Sequence, residues 1–581
     1  MSTFRRVVKA ASAVFLVSIA PAFSVSPQPV SSTHAMVVTS QHLATDVGIE
    51  ILKKGGNAVD AAVAVGYALA VTNPCCGNIG GGGFATLHMA DGKDVFLNFR
   101  EKAPSAATEK MFLNAAGEVV PDLSLKGFLA AGVPGTVMGL DSLLQKYGTM
   151  KRDAVMAPSI KLAEEGFTLN QGDVDILNTS TKAFAEQPNV AAIFLHDGKP
   201  WTAGENFMQK NLAASLKEIA ANGPDAFYKG TIADALASDG GIISKSDLAN
   251  YDVEELSPIH CNYRGYDLIS APPPSSGGVA ICEMLNILKG YDMAGLGFHS
   301  ATGIHNMVEA MRHTYVDRNF SLGDPDFVNN PIEKLLSDEH AAAIRAKIDP
   351  AKATPSKEVQ PGTGPHEGDQ TTHYSIVDEK GDAIAVTYTI NALFGAKVMA
   401  GDTGFFLNDE MDDFTIKPGV PNLFGLVQGK TNVIAPGKRP LSSMSPTIVT
   451  KDGKTFMVLG SPGGSRIITI VLETLMNVVD YGMNLQEAVD APRIHHQWLP
   501  DEISAEPYAL SPDTAKVLTD MGYTLKTQSP WGAAEAIEVG PAPTTAAATS
   551  GNDAMATTKS SNIKLYGAND DRRPAGSASG F

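Results

Sequence analysis

Positive charge, cysteine and the common nucleotide and nucleophile signatures are all scarce in this chain. Lys and Arg number 45 against 63 Asp and Glu, a formal net charge of −18. So acidic a composition opposes binding to nucleic acid or anionic membrane, because phosphate contacts need basic side chains. It mildly favours positive groups on a substrate without naming one. The four cysteines, Cys75, Cys76, Cys261 and Cys282, are too few to staple 581 residues. Cys75 and Cys76 are adjacent, so no CxxC spacing exists for zinc or redox work. Cys282, in the apolar run Val279-Ala280-Ile281-Cys282, reads as a small core residue. No GxGxxG occurs around Gly80 to Gly83. Lys430 and Lys454 each sit in Gly-Lys-Thr, but Phe424 and Ile448 stand where a P-loop needs its first glycine. No G-x-S-x-G elbow is present, which argues against an α/β-hydrolase serine. His495-His496 lacks a third ligand at metal spacing. No metal and no cofactor is therefore expected.

What is present is an ordinary globular composition, 44% apolar. Arg5, Arg6 and Lys9 precede the apolar run Ala10 to Ala20 and the small-x-small pattern Ala20-Pro21-Ala22. Residues 1–25 thus read as a signal peptide, because the run is too short to stay in a bilayer. The protein is expected in the periplasm, with secretion open, and without stable membrane insertion. Ser40 with Leu43, Val47 and Ile51 predicts a capped amphipathic helix. Ala58 to Val71 predicts a helix apolar nearly all round and therefore buried. Residues 349–370 are rich in Pro, Gly and charge, the composition of an exposed loop. Two hairpins follow: Thr371 to Asp378 with Ala383 to Ile390, and Thr447 to Thr450 with Thr455 to Leu459. Helices are expected at about Ser465 to Tyr481 and Ser511 to Met521. Residues 540–562, rich in Ala, Thr, Ser and Pro, read as a disordered surface insertion.

The chemistry centres on Thr371, in Gly368-Asp369-Gln370-Thr371-Thr372-His373. A hydroxyl is a weak nucleophile unless a base takes its proton, and the α-amine of a chain-terminal threonine can be that base. An internal Thr371 acquires such an amine only if the chain is cut between Gln370 and Thr371. Further candidates surround it in the sequence. Gly463 and Gly464, in Ser461-Pro462-Gly463-Gly464-Ser465, end a strand and open a helix, where N–H groups suit an oxyanion. Arg100 suits a carboxylate, as do the hydroxyls of Ser442 and Ser443. The acidic cluster Glu410, Asp412 and Asp413 suits an ammonium. None of these carries the assignment alone: the glycines by themselves read first as a plain strand-to-helix turn and Arg100 as a surface ion pair, while the serines also fit turn hydroxyls and the acids a solvated loop.

Taken together, Thr371 to Ser375, Thr387 to Asn391, Met411 to Phe414, Pro440 to Pro446 and Ser461 to Arg466 closely resemble the bacterial γ-glutamyltransferases. Asn73-Pro74, Gly80 to Gly83 and Phe99-Arg100-Glu101 extend the likeness from about Ala35 to the C-terminus. The resemblance implies an α+β fold, the four-layer αββα sandwich of N-terminal nucleophile hydrolases. It implies one fold shared by a large subunit (26–370) and a small subunit (371–581), a heterodimer cut from one precursor. It implies that Thr371 forms a γ-glutamyl ester, that Thr389 orients it, and that Gly463 and Gly464 form the oxyanion hole. Arg100, Ser442 and Ser443 would bind the donor α-carboxylate. Asn391, Glu410 and Asp413 would bind its α-ammonium. Water or an amino acid or peptide amine then accepts the glutamyl group. Phe424 falls in the lid loop, where relatives often carry tyrosine; a phenyl ring makes no phenolic hydrogen bond, which predicts a looser lid. Two alternatives stand beside this: a same-fold glutaryl (cephalosporin) acylase, and a processing-dead binding protein.

Overall fold

The computed structural model describes residues 27–360, 371–540 and 564–581. The expected leader, Gln370 and nearly all of the 540–562 insertion lie outside the described residues.

Two seven-stranded sheets stack face to face between helices, the αββα sandwich that the sequence implies. One sheet runs, in spatial order, Ser577–Gly580, Met36–Thr39, Thr372–Val377, Ala383–Thr389, Gly82–His88, Asp94–Phe99, Glu254–Leu256. The other runs Val30–Ser32, Lys564–Asn569, Glu535–Gly540, Lys454–Gly460, Thr447–Lys451, Tyr266–Ser270, Ile259–Tyr263. All neighbouring strands in both are antiparallel. Each sheet draws strands from both sides of residue 370. Both expected hairpins form, with Thr372 opposite Tyr388 and Thr447 opposite Leu459.

Side-chain alternation along the strands creates the layers. In Ala383–Thr389, Ile384, Val386 and Tyr388 face the helix side, while Ala383 and Ala385 face the second sheet. The inter-sheet core joins Val38, Val377 and Ala385 to Ile269, Ile448, Val458 and Ile537. The helix Ala58–Thr72 covers one outer face and is buried along its whole length. Asn57 and Asp60 close its first turn as a capping box. The helices Gly277–Leu288 and Ile467–Val479 cover the other face.

Two local expectations are corrected. The first amphipathic helix, His42–Lys53, is capped by Gln41, whose side chain accepts from the N–H groups of Leu43 and Ala44. Ser40 is released from capping and shares a 2.7 Å hydrogen bond with Thr372. Cys282 is buried as expected but not a free thiol: it is disulfide-bonded to Cys261, tying the helix Gly277–Leu288 to the strand Ile259–Tyr263. Cys75 and Cys76 are joined as well. Spacing alone does not reveal that a strand and a helix bring residues 261 and 282 together.

Candidate active site

Thr371 stands just before the strand Thr372–Val377 in the middle of its sheet, with 6% of its surface exposed. Its φ is +124°, a region costly for a β-branched residue, on the order of 1–3 kcal/mol. The Thr371 hydroxyl donates to Thr389 Oγ1 at 3.2 Å. Thr389 ends the adjacent strand, and its Oγ1 also accepts from the Asn391 N–H at 2.8 Å. Thr389 therefore keeps its own proton, available to the Thr371 oxygen once that oxygen is deprotonated. Gly81 permits this packing, since a Cβ there would lie 2.0 Å from the Thr389 carbonyl oxygen. His373 braces the strand through Thr387 (2.7 Å) and Ser375 (3.0 Å). Burial pulls its imidazole down to about 3, so it is neutral at working pH.

Arg100 follows the strand Asp94–Phe99 and is fully buried. It forms ion pairs with Glu410 and, at 2.5 Å, with Asp413, and lies 3.4 Å from Glu101. Burial opposes its charge, but Glu410, Glu101 and Asp413 outweigh burial and hold it above its ordinary range. Burial pushes the Glu101 carboxyl up to about 7 against the pull of Arg100, and pushes Glu410 well above the carboxylate range. Among the described residues, one oxygen each of Glu101 and Glu410 has no hydrogen-bond partner. In this state the cation expected to hold a carboxylate is paired with the acids expected to hold an ammonium.

Asn391 takes a positive φ of 69° and donates through Nδ2 to the Asp409 carbonyl at 3.0 Å. Ser442 and Ser443 sit on the loop between Pro440 and Pro446, where Ser442 N donates to the Pro274 carbonyl. Gly463 and Gly464 have φ of 137° and 55°, and neither N–H has a hydrogen bond among the described residues. Those amides are free to meet an oxyanion. Phe424, in the loop expected to form a lid, is only 5% exposed. Its carbonyl accepts from Gln497 Nε2 at 3.0 Å, and the Leu423 N–H donates to Asp412 at 2.8 Å. This loop is thus held through its backbone, without a phenolic hydroxyl.

Thr371, Thr389, Asn391, Arg100, Glu410, Asp413, Phe424, Ser442, Ser443 and Gly464 line one pocket. Its free volume is about 20 Å³, room for about one water. Gly463 lies one residue outside the lining, and Gln370 is not among the described residues. Two further residues, Glu101 and Arg318, lie at the site. Glu101 touches Arg100, a signal visible as adjacency in the sequence. Asp412, a sequence candidate for the ammonium, is not in the pocket lining; it accepts from the Leu423 N–H at 2.8 Å and from Ser124 at 2.6 Å. Arg318, on the helix Ala301–Ser321, lines the pocket without any local sequence signal. Among the described residues, Glu283, Asp317 and His340 bring ligand-type atoms within 4.8 Å of one another. His340 Nε2 already bridges both carboxylates, at 3.3 and 3.0 Å, and this ion pair accounts for the trio.

A profile described as gamma-glutamyltranspeptidase matches residues 44–559. The chain is 57% identical over 561 residues to a glutathione hydrolase proenzyme of Pseudomonas sp. (strain A14), covering 96% of each. It is 51% identical over 519 residues to a glutathione hydrolase proenzyme of Escherichia coli (strain K12), covering 88% of this chain and 89% of that one. A solved cephalosporin acylase from Bacillus halodurans shares the fold with a TM-score of 0.81 and 27% identity, covering 98% of this chain and 99% of that one. The threonine-centred pocket and the match across most of the chain agree: the protein is an enzyme and belongs to the gamma-glutamyltranspeptidase family.

Proposed function

We propose that this γ-glutamyltransferase with glutathione hydrolase activity works through Thr371, exposed as a new N-terminus by cleavage after Gln370. In the precursor, the Thr371 hydroxyl attacks the Gln370 carbonyl. The amide becomes an ester, and water releases residues 26–370 from residues 371–581. The strained φ of Thr371 supports this step, since cleavage frees the residue to relax.

In the mature enzyme the Thr371 amine takes the hydroxyl proton, and Oγ1 attacks the γ-carbonyl of the donor. Thr389 donates to Oγ1, and the amides of Gly463 and Gly464 receive the oxyanion. The proton returns to the leaving amine, leaving a γ-glutamyl ester on Thr371. Water then gives glutamate, or an amino acid or peptide amine gives a transferred product. The donor zwitterion enters between Arg100, Ser442 and Ser443 for its carboxylate and Asn391, Glu410 and Asp413 for its ammonium. Glutathione is the donor in the names of the two relatives. The single observation that carries the assignment is one pocket holding the Thr371–Thr389 hydroxyl pair beside both charge sets. Glu410 and Asp413 disfavour a glutaryl donor, which has no ammonium to match them.

Export to the periplasm is part of the proposal. The Cys261–Cys282 disulfide suits an oxidising compartment, and no helix among the described residues is long and apolar enough to cross a membrane.

Purified protein should run as two pieces on a denaturing gel, the smaller beginning at Thr371 by N-terminal sequencing. Thr371→Ala should remain one piece and lose activity by ~10⁴-fold or more. A cut and active Thr371→Ala variant would remove Thr371 from the chemistry.

A further inference from the structure

Arg318 is 2% exposed, yet among the described residues it has no carboxylate at ion-pair distance. Other buried arginines do: Arg312 pairs with Asp501, Arg439 with Glu254, Arg493 with Asp570. Arg318 donates only to neutral oxygens. Nε reaches Ser276 Oγ at 3.1 Å, Nη1 reaches Asn319 Oδ1 at 2.9 Å and Gln428 Oε1 at 3.3 Å, and Nη2 reaches Ser443 Oγ at 3.0 Å. A buried guanidinium without an anion is costly. This one lies in the wall of the donor pocket, where an anionic ligand would complete it. Burial pulls it down to about 10, so it remains a cation at neutral pH.

The hydroxyl protons of the neighbouring loop sharpen the point. Ser275 Oγ donates to the Met444 carbonyl, Ser276 Oγ to the Ser442 carbonyl and Ser445 Oγ to the Ser443 carbonyl. Ser442 and Ser443 differ: each Oγ only accepts, from the Met444 N–H at 3.1 Å and from Arg318. A hydroxyl has one proton to give. With an N–H already aimed at each oxygen, that proton turns away from the donor. For these two serines no acceptor for it exists among the described residues, and both line the pocket.

We propose that Arg318 is the second cation of the donor pocket and the positioning residue that turns the Ser443 hydroxyl proton toward the donor α-carboxylate. This rests on the γ-glutamyl reading of the site. Arg318 also contacts Gln428, just past the lid residue Phe424, so a helix of the large subunit senses the carboxylate loop and the lid together.

The test compares two donors, γ-glutamyl-p-nitroanilide and its α-carboxamide analogue, in wild type, Arg318→Met, Arg318→Lys and Ser443→Ala. Arg318→Met should lower kcat/KM for the carboxylate donor by about 100-fold, mainly through KM. For the carboxamide donor the loss should be under about threefold, because a neutral group gains little from the cation. Arg318→Lys should restore part of the preference, retaining charge without the planar fork. Ser443→Ala should also reduce it, and its effect should shrink in the Arg318→Met background, since the two act through one hydroxyl. Equal losses for both donors in Arg318→Met would overturn the proposal. If Arg318→Met is not cleaved into two pieces, the decision passes to the other variants. An undiminished carboxylate preference in Arg318→Lys and Ser443→Ala then overturns it. Wild-type enzyme that turns over neither donor overturns the γ-glutamyl reading itself, and this proposal with it.

Discussion

At the scale of single residues, Thr371 was legible from its own chemistry, whereas Thr389 and Asn391 entered only through the family resemblance. A threonine pair 18 residues apart faces across adjacent strands once the turn at Glu379 to Asp382 is recognised. Arg100, Glu410 and Asp413 were legible as ligand types, but not their mutual pairing, which depends on a contact across more than 300 residues. Arg318 gave no signal, since an arginine on a helix reads as solvated until burial is known. His373 illustrates a consequence of such burial. Its native imidazole is held down to about 3, while an unfolded histidine titrates near about 6.5. Between these values the unfolded chain binds a proton that the native chain refuses, so stability falls as pH falls. Replacing His373 with Gln should remove that proton. Between pH 6 and 4 the unfolding free energy of wild type should fall relative to the variant by about 1.4 kcal/mol per pH unit. Chemical unfolding at pH 4, 5 and 6 measures it, and parallel curves would show that His373 does not titrate on unfolding.

At the scale of elements, hydrophobic periodicity and turn chemistry located both hairpins and the buried helix Ala58–Thr72. The cap of the helix His42–Lys53 was misplaced by one residue, because glutamine is an uncommon cap and Ser40 the conventional one. Ser40 instead serves a tertiary contact, with Thr372 next to Thr371. The expected insertion can be judged by what it connects. Its flanking strands, Glu535–Gly540 and Lys564–Asn569, pair with Gly540 opposite Lys564. A two-residue Asn-Gly turn spans such a register. Replacing residues 541–563 with Asn-Gly should therefore leave cleavage and γ-glutamyl transfer within about twofold of wild type. A large loss of either in an anilide assay would give the segment a role that its flanking strands do not predict.

At the scale of the molecule, cleavage after Gln370 would leave two chains interleaved in both sheets. Thr372–Val377 lies between Met36–Thr39 and Ala383–Thr389, and Lys564–Asn569 pairs with Val30–Ser32. Separating the chains breaks strand ladders and exposes the shared inter-sheet core. The mature protein should therefore elute as a single heterodimer on size exclusion at any ionic strength, and part only in denaturant. Dissociation by salt alone would mean that the strand pairing across residue 370 is wrong. The sequence by itself located both hairpins, the buried helix Ala58–Thr72 and the helices near Ser465 and Ser511, because propensity, periodicity and turn chemistry act over a few residues. Tertiary structure alone decided the Cys261–Cys282 bond, the pairing of Arg100 with its acids, the hydrogen bonds of Asp412 to Leu423 and Ser124, and the place of Arg318 in the pocket. These depend on which distant groups are buried together, and burial sets the strength of every charge and hydrogen bond they make.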